Sequence, residues 1–185
     1  HFPYGNKSKE QIISFTLENI QSMLDQNVKA VVIACHTASA LAAEEARREF
    51  GLPIIDMIAP TLAWASQFSN DLVVIATEGT VDSEAYPRHA KRYYPCVKIK
   101  CIPCPKLASL VENSQFQGGT PKDVIASQLE KAWGAKTVVL GCTHYTAIKK
   151  QIEACLPYTR VFDPSWAVAY ELKRKLEEKE VKLCV

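Results

Sequence analysis

The chain has 185 residues, 48% of them hydrophobic and 23% charged, and a formal net charge of +2 at pH 7. These values are typical of a globular protein built as one domain or two small lobes. No basic stripe with interleaved aromatic residues is present, so we do not expect nucleic acid as a partner. No apolar run reaches the roughly 18–20 residues of a transmembrane helix, so we do not expect a membrane as a partner either.

Helical and strand-like patterns alternate along the chain. The first helix is predicted over residues 8–26, where Ser8 can cap it and apolar residues recur at helical spacing. A β-branched apolar run at 28–34 follows, typical of a strand buried on both faces. The remaining predicted elements are helix 38–50, strand 52–58, helix 60–68, strand 71–77, strand 98–103, helix 120–133, strand 136–141, helix 146–156, strand 159–164 and helix 165–180.

One helix–strand–helix pattern occurs twice. VKAVVIACHTASA at 28–40 resembles AKTVVLGCTHYTAI at 135–148, and LPIIDMIAPTLAWA at 52–65 lines up without gaps on LPYTRVFDPSWAVA at 156–169. Strands separated by helices indicate parallel β–α–β crossovers. We therefore predict an α/β fold of two pseudo-symmetric lobes, with mostly parallel sheets flanked by helices and an active site in the cleft between the lobes. The alternative is that two unrelated αβα units merely look alike.

Two of the seven cysteines lie between a predicted strand and a predicted helix. Cys35 and Cys142 should therefore lie at the carboxyl ends of parallel strands, where ligands bind, and the helix dipoles there favour the thiolate. Two thiols on opposite faces of one carbon can remove a proton and supply another, which inverts a stereocentre. An odd cysteine count at irregular spacing also favours a reducing cytoplasm over a secreted disulfide framework.

Simpler interpretations of the cysteines exist. A single cysteine at a strand end is usually a buried structural residue, and only the duplicated context favours catalysis here. Cys101 and Cys104 have the C-x-x-C spacing of zinc or redox sites, but no second such pair is present. We therefore predict no metal site.

Five motifs occur in an order that resembles glutamate racemases of the aspartate/glutamate racemase superfamily. They are PYGNKS at 3–8, ACHTASA at 34–40, IATEGTVDSEAY at 75–86, CPKLASLVE at 104–112 and GCTHY at 141–145. The resemblance implies a cytoplasmic enzyme that interconverts L- and D-glutamate for peptidoglycan biosynthesis without a cofactor. It is also compatible with a homodimer.

The resemblance assigns roles to particular residues. Cys35 and Cys142 would be the acid/base thiols, with His144 assisting Cys142 and Glu112 orienting His144. The substrate-binding residues that it implies are Pro3, Tyr4, Gly5, His36, Thr37, Thr80 and Thr143, with Thr77 in a supporting position. It also implies a first lobe of residues 1–59 plus 165–185 carrying Cys35, and a second lobe of residues 60–164 carrying Cys142.

The sequence departs from the family pattern in two places. The family pattern opens with a strand that carries an Asp-Ser pair, and no counterpart precedes PYG in this sequence; His36 stands where the family has Asn. Two alternative functions stay open, the second of which is motivated by these departures. One is a racemase of the same superfamily that acts on aspartate or another amino acid, and the other is a catalytically impaired homologue kept as a binding or regulatory protein.

Overall fold

The structure of the chain is a computed structural model that describes Tyr4, residues 7–117 and residues 121–183. Within these residues helices and strands alternate as the sequence predicts. The strands are β1 (Val31–Val32), β2 (Ile54–Ile55), β3 (Asp71–Ala76), β4 (Lys98–Pro103), β5 (Thr137–Gly141) and β6 (Arg160–Phe162). The helices are α1 (Lys9–Leu24), α2 (His36–Glu49), α3 (Ile58–Ala65), α4 (Glu78–Asp82), α5 (Ala85–Tyr93), α6 (Pro105–Gln117), α7 (Lys122–Leu129), α8 (Thr143–Ala147), α9 (Lys149–Cys155) and α10 (Ser165–Leu183).

The described strands form two parallel sheets. Four of them lie in the order β4-β3-β5-β6, and β1 pairs with β2 in a separate two-stranded sheet. All pairings are parallel, so the strand ends that precede α4, α6 and α8 lie at the same edge of the larger sheet. The predicted α/β class, with parallel sheets flanked by helices, is confirmed.

Apolar side chains cover both faces of each sheet. On β3, Ile75 packs into the cluster beneath α6 to α9, whereas Val74 packs into the cluster beneath α3 and α5. On β2, Ile54 packs against α1 and α2, and Ile55 packs with Val168 of α10. This burial on both faces explains the continuous apolar runs in the sequence.

Local sequence signals account for several element boundaries. Ser8 caps α1 in a reciprocal capping box with Gln11, as predicted. The predicted helix over 146–156 is interrupted at Ile148, whose φ of −112° and ψ of 20° separate α8 from α9. Helices α4, α5 and α6 were not among the predicted elements. Thr77 caps α4, and Glu84, at a φ of 53°, separates α4 from α5. The strands predicted over 28–34 and 52–58 each reduce to two paired residues.

Gly141 is required where β5 meets β3. A Cβ atom built on Gly141 would lie 2.8 Å from the carbonyl oxygen of Ile75, 2.8 Å from Cγ1 of Val74 and 2.9 Å from Cβ of Ala76. The main obstacle is backbone, which cannot rotate away as a flexible side chain can. The absence of a side chain at Gly141 therefore allows the close strand approach that places the next residue, Cys142.

We predict that Gly141→Ala lowers the free energy of unfolding by about 1–3 kcal/mol, because β3 and β5 must separate to admit the methyl group. The matched control is Gly51→Ala, where a Cβ would meet nothing within 4 Å, and the expected change is within about 0.5 kcal/mol. Urea denaturation of both variants measures the difference. Equal stabilities would contradict the packing argument.

Candidate active site

A thiol, an imidazole and a carboxylate from two parts of the chain meet beyond the end of β5. Cys142 occupies the N-cap position of α8, and its Sγ lies 3.7 Å from Nδ1 of His144. Nε2 of His144 lies 2.7 Å from Oε1 of Glu112, which α6 contributes. The structure thus brings together the three residues that the resemblance assigned to one side of the site.

The direction of proton transfer follows from these contacts. When Nε2–H of His144 donates to the Glu112 carboxylate, the neutral ring presents the Nδ1 lone pair to the Cys142 thiol. A carboxylate that fixes the tautomer of an imidazole beside a nucleophilic or acid/base group is a recurrent catalytic arrangement. His144 is therefore placed to accept the proton of Cys142 and to return it.

Burial decides the protonation state of Cys142. The pKa of Cys142 is raised to about 12, first by desolvation and then by the charge that Cys35 can carry, although backbone N–H groups of His144 and Tyr145 act in the opposite direction. The helix start therefore acts on Cys142 in the predicted direction, but desolvation outweighs it. Helix α8 has only five residues, so its dipole does not offset the loss of water. Cys142 rests as a thiol.

Cys35 lies at the corresponding position of the first sheet. It occupies the N-cap position of α2 and is half-buried. A negative charge on Cys35 would contribute to the raised pKa of Cys142. A cavity of about 160 Å³ beside Cys35 is lined by Tyr4, Asn19 and apolar residues of α1 and β1.

Three threonine hydroxyls form a closed triangle between α2 and the start of α4. Oγ1 of Thr37 lies 2.9 Å from that of Thr77 and 3.2 Å from that of Thr80, and the last two are 3.0 Å apart. Each hydroxyl has one proton to donate and can accept, so the triangle satisfies itself. The cluster gathers three predicted polar contacts, and any carboxylate or ammonium group that binds there must replace these hydrogen bonds.

His36, which the resemblance implies as a substrate contact, is buried. Its ring is enclosed in the interior, neither ring nitrogen has a hydrogen-bond partner, and it stacks on Tyr86 with ring centroids 6.3 Å apart. Burial lowers the pKa of His36 to about 3, so the ring is neutral at physiological pH. Direct contact with a substrate would require the ring to leave this site.

The other predicted residues are placed as follows. Thr143 is exposed at the first position of α8. Tyr4 is half-buried, its hydroxyl lies 3.4 Å from Nδ2 of Asn19, and burial raises its pKa. Pro3 and Gly5 lie outside the described residues. Sequence reasoning missed Gly141 and Tyr145, although both stand inside the GCTHY motif that it singled out.

The two cysteines of the C-x-x-C pair are half-buried (Cys101) and buried (Cys104). Burial raises the pKa of Cys101 to about 11 and that of Cys104 to about 12, and Sγ of Cys104 donates to the carbonyl of Gln128 at 3.4 Å. Among the described residues, no three His, Cys, Asp or Glu side chains are grouped so that they could hold a metal ion.

No helix among the described residues is long and apolar enough to cross a bilayer.

Comparison with known proteins supports the sequence resemblance. The family model for Asp/Glu/Hydantoin racemase matches residues 5–172. The chain is 36% identical over 178 residues to glutamate racemase of Shouchella clausii, covering 94% of this chain and 64% of that protein. It is also 36% identical to glutamate racemase of Lactococcus lactis, covering 82% of this chain and 57% of the relative. The chain thus belongs to the Asp/Glu/Hydantoin racemase family and spans less than two thirds of the length of these relatives.

Solved structures give the same result for the fold. Glutamate racemase isoform RacE1 of Bacillus anthracis superposes with a TM-score of 0.91 at 28% identity, covering 97% of this chain and 69% of that chain. Glutamate racemase of Francisella tularensis, solved in complex with D-glutamate, superposes with a TM-score of 0.87 at 30% identity over the same shares. Allantoin racemase of Klebsiella pneumoniae, at 18% identity and a TM-score of 0.64, shares the fold alone.

We predict that His36 makes the free energy of unfolding decrease as the pH falls. Its folded pKa of about 3 lies below the ordinary 6.5, so the unfolded chain takes up the proton first as the pH falls. The stabilisation is complete above about pH 6.5 and declines towards pH 3. Between pH 7 and pH 5 the free energy of unfolding should fall by about 2 kcal/mol from His36 alone.

Urea denaturation at pH 7, 6 and 5 tests this dependence, with His36→Asn as the non-titrating comparison. The variant should show a correspondingly shallower decline with falling pH. Parallel curves for the two proteins would mean that His36 is not buried in its neutral form.

Proposed function

We propose that the protein is a glutamate racemase that inverts Cα by proton transfer between two cysteines, without a cofactor. The observation that carries the proposal is the Glu112–His144–Cys142 contact chain, with Cys35 at the corresponding N-cap position of α2. Membership of the racemase family and similarity to glutamate racemases over most of the chain support glutamate as the substrate.

The chemistry needs one thiolate and one thiol on opposite faces of Cα. The thiolate takes the α-proton, the C–H electron pair stays on the substrate as a carbanion delocalised into the carboxylate, and the opposite thiol donates its proton to the other face. Because the pKa of Cys142 is about 12, Cys142 is ready to donate. When the substrate has the other configuration, Cys142 must act as the base, and His144 accepts its proton beforehand.

Threonine hydroxyls near the two cysteines can provide contacts to the substrate. The hydroxyls of Thr37, Thr77 and Thr80 can donate to a substrate carboxylate once their mutual hydrogen bonds open. Thr143, exposed at the start of α8, provides a further hydroxyl on the Cys142 side. Burial of Cys142 keeps water away from the carbanion, which strengthens each of these interactions.

We further propose the cellular setting and the architecture that the resemblance implies. The six described cysteines are free, which supports a reducing cytoplasm and a role in supplying D-glutamate for peptidoglycan. Packing of Val168 with Ile55 and Met57 supports a first lobe of residues 1–59 plus 165–185, and a second of 60–164.

The exposed aromatic rings of Trp166 and Tyr170 support a homodimer.

Isotope exchange tests the proposed reaction. In D₂O, full-length protein should racemise both enantiomers of glutamate and incorporate deuterium at Cα, as followed by circular dichroism and NMR. Cys35→Ser and Cys142→Ser should each lower racemisation by at least about 100-fold, because a hydroxyl is a far weaker acid/base group at this position. Cys96→Ser, at an exposed position outside the site, is the matched control and should retain wild-type rates.

The alternatives predict different results. Faster exchange on aspartate or another amino acid would transfer the assignment to a different racemase of the family. Absence of racemisation and exchange with every amino acid tested would contradict the proposal and favour a binding or regulatory role.

A further inference from the structure

Tyr145 belongs to the GCTHY motif but has no part in the chemistry described so far. Its side chain is fully buried, and its hydroxyl donates a 2.8 Å hydrogen bond to the carbonyl oxygen of Cys104. Its backbone N–H donates to the carbonyl oxygen of Cys142 at 3.1 Å. Tyr145 is therefore joined to the residue that carries the thiol and to a distant segment of the chain.

The segment that receives the Tyr145 hydroxyl is the start of α6. The carbonyl oxygen of Cys104 also accepts the N–H of Leu107 at 3.2 Å, and Pro105 opens the helix. Glu112 lies about two turns further along α6. The Tyr145–Cys104 hydrogen bond thus connects α8, which carries His144, to α6, which carries its carboxylate partner.

The Glu112–His144 contact depends on such support because it is partly open to water. The side chain of His144 is 25% exposed and that of Glu112 is 40% exposed. Exposed pairs of this kind contribute little by themselves, since solvent screens them and side-chain entropy opposes them. Their alignment is then set by the two helices that carry them.

Gln128 of α7 provides a second, weaker attachment of the same helix start. Its Oε1 accepts the backbone N–H of Lys106 at 3.2 Å, and its carbonyl accepts Sγ–H of Cys104 at 3.4 Å. The side-chain contact is exposed, whereas the Tyr145 contact is buried. Tyr145 is accordingly the stronger of the two attachments.

We propose that Tyr145 is a positioning residue for the racemase chemistry. Its hydroxyl fixes the start of α6, so that Glu112 holds His144 in the tautomer and orientation that accept the proton of Cys142. This inference rests on the proposed function, because it concerns the same contact chain. It deepens that function by naming what keeps the chain aligned.

Alkylation of Cys142 by iodoacetamide, followed by mass spectrometry of the Cys142 peptide between pH 7 and pH 9, tests the inference without requiring turnover. Tyr145→Phe keeps the ring and removes only the hydroxyl. Its Cys142 should react about three- to tenfold more slowly, because a less aligned His144 assists deprotonation less. Tyr86→Phe is the matched control, since Tyr86 is equally buried but belongs to the cluster beneath α3 and α5 rather than to the one that contains Cys142; its Cys142 rate should equal wild type.

Combining Tyr145→Phe with Glu112→Gln distinguishes an effect that acts through Glu112 from a general loss of local structure. If Tyr145 acts through Glu112, the double variant Glu112→Gln/Tyr145→Phe should react no more slowly than Glu112→Gln alone. A wild-type rate in Tyr145→Phe, a faster rate caused by a more accessible thiol, or slowing that is fully additive with Glu112→Gln would overturn the proposal.

A second variant keeps the test valid if Tyr145→Phe does not fold. Gln128→Ala removes an exposed contact and should slow alkylation of Cys142 in the same direction, but less, and only when Glu112 is present. A wild-type rate in Gln128→Ala would then overturn the proposal. Because alkylation needs no substrate, a protein that fails to racemise glutamate but shows these rates would refute the proposed function and leave the positioning role intact.

Discussion

Burial of the Cys142 thiol is the constraint on which the site depends. Taking the sulfur out of water raises the pKa of Cys142 to about 12, so the group is a proton donor at rest and a base only with assistance. In the proposed mechanism His144 and Glu112 provide that assistance; Nδ1 of His144 lies 3.7 Å from the Cys142 sulfur, and Nε2 lies 2.7 Å from Glu112. The same desolvation that makes the thiolate costly strengthens the interactions that stabilise developing charge.

The fold produces this burial through the central position of β5. The strand is buried along its whole length between β3 and β6, and Gly141 lets it approach β3 closely before the chain turns at Cys142. Helices α6 and α8 then meet over the strand end, which brings Glu112 to His144 across 32 residues of sequence. Site and scaffold are thus not separable: the packing of β5 places the thiol, and the packing of α6 places its carboxylate.

The sequence predicted what depends on local pattern and motif. Duplicated strand–cysteine segments indicated Cys35 and Cys142, and the motifs indicated His144 and Glu112, because each of these signals is a short local pattern. It could not predict the state of Cys142 or the enclosed position of His36, since desolvation depends on the whole tertiary environment. The roles of Gly141 and Tyr145 were also missed, because a strand contact and a carbonyl 41 residues away leave no periodic signal.

A crystal structure of the full-length protein with D-glutamate bound would test the central claim most directly. The account predicts Cα of the ligand between the sulfur atoms of Cys35 and Cys142, one on each face, with Nδ1 of His144 directed at the Cys142 sulfur. A ligand bound elsewhere, or both sulfur atoms on one face of Cα, would contradict it.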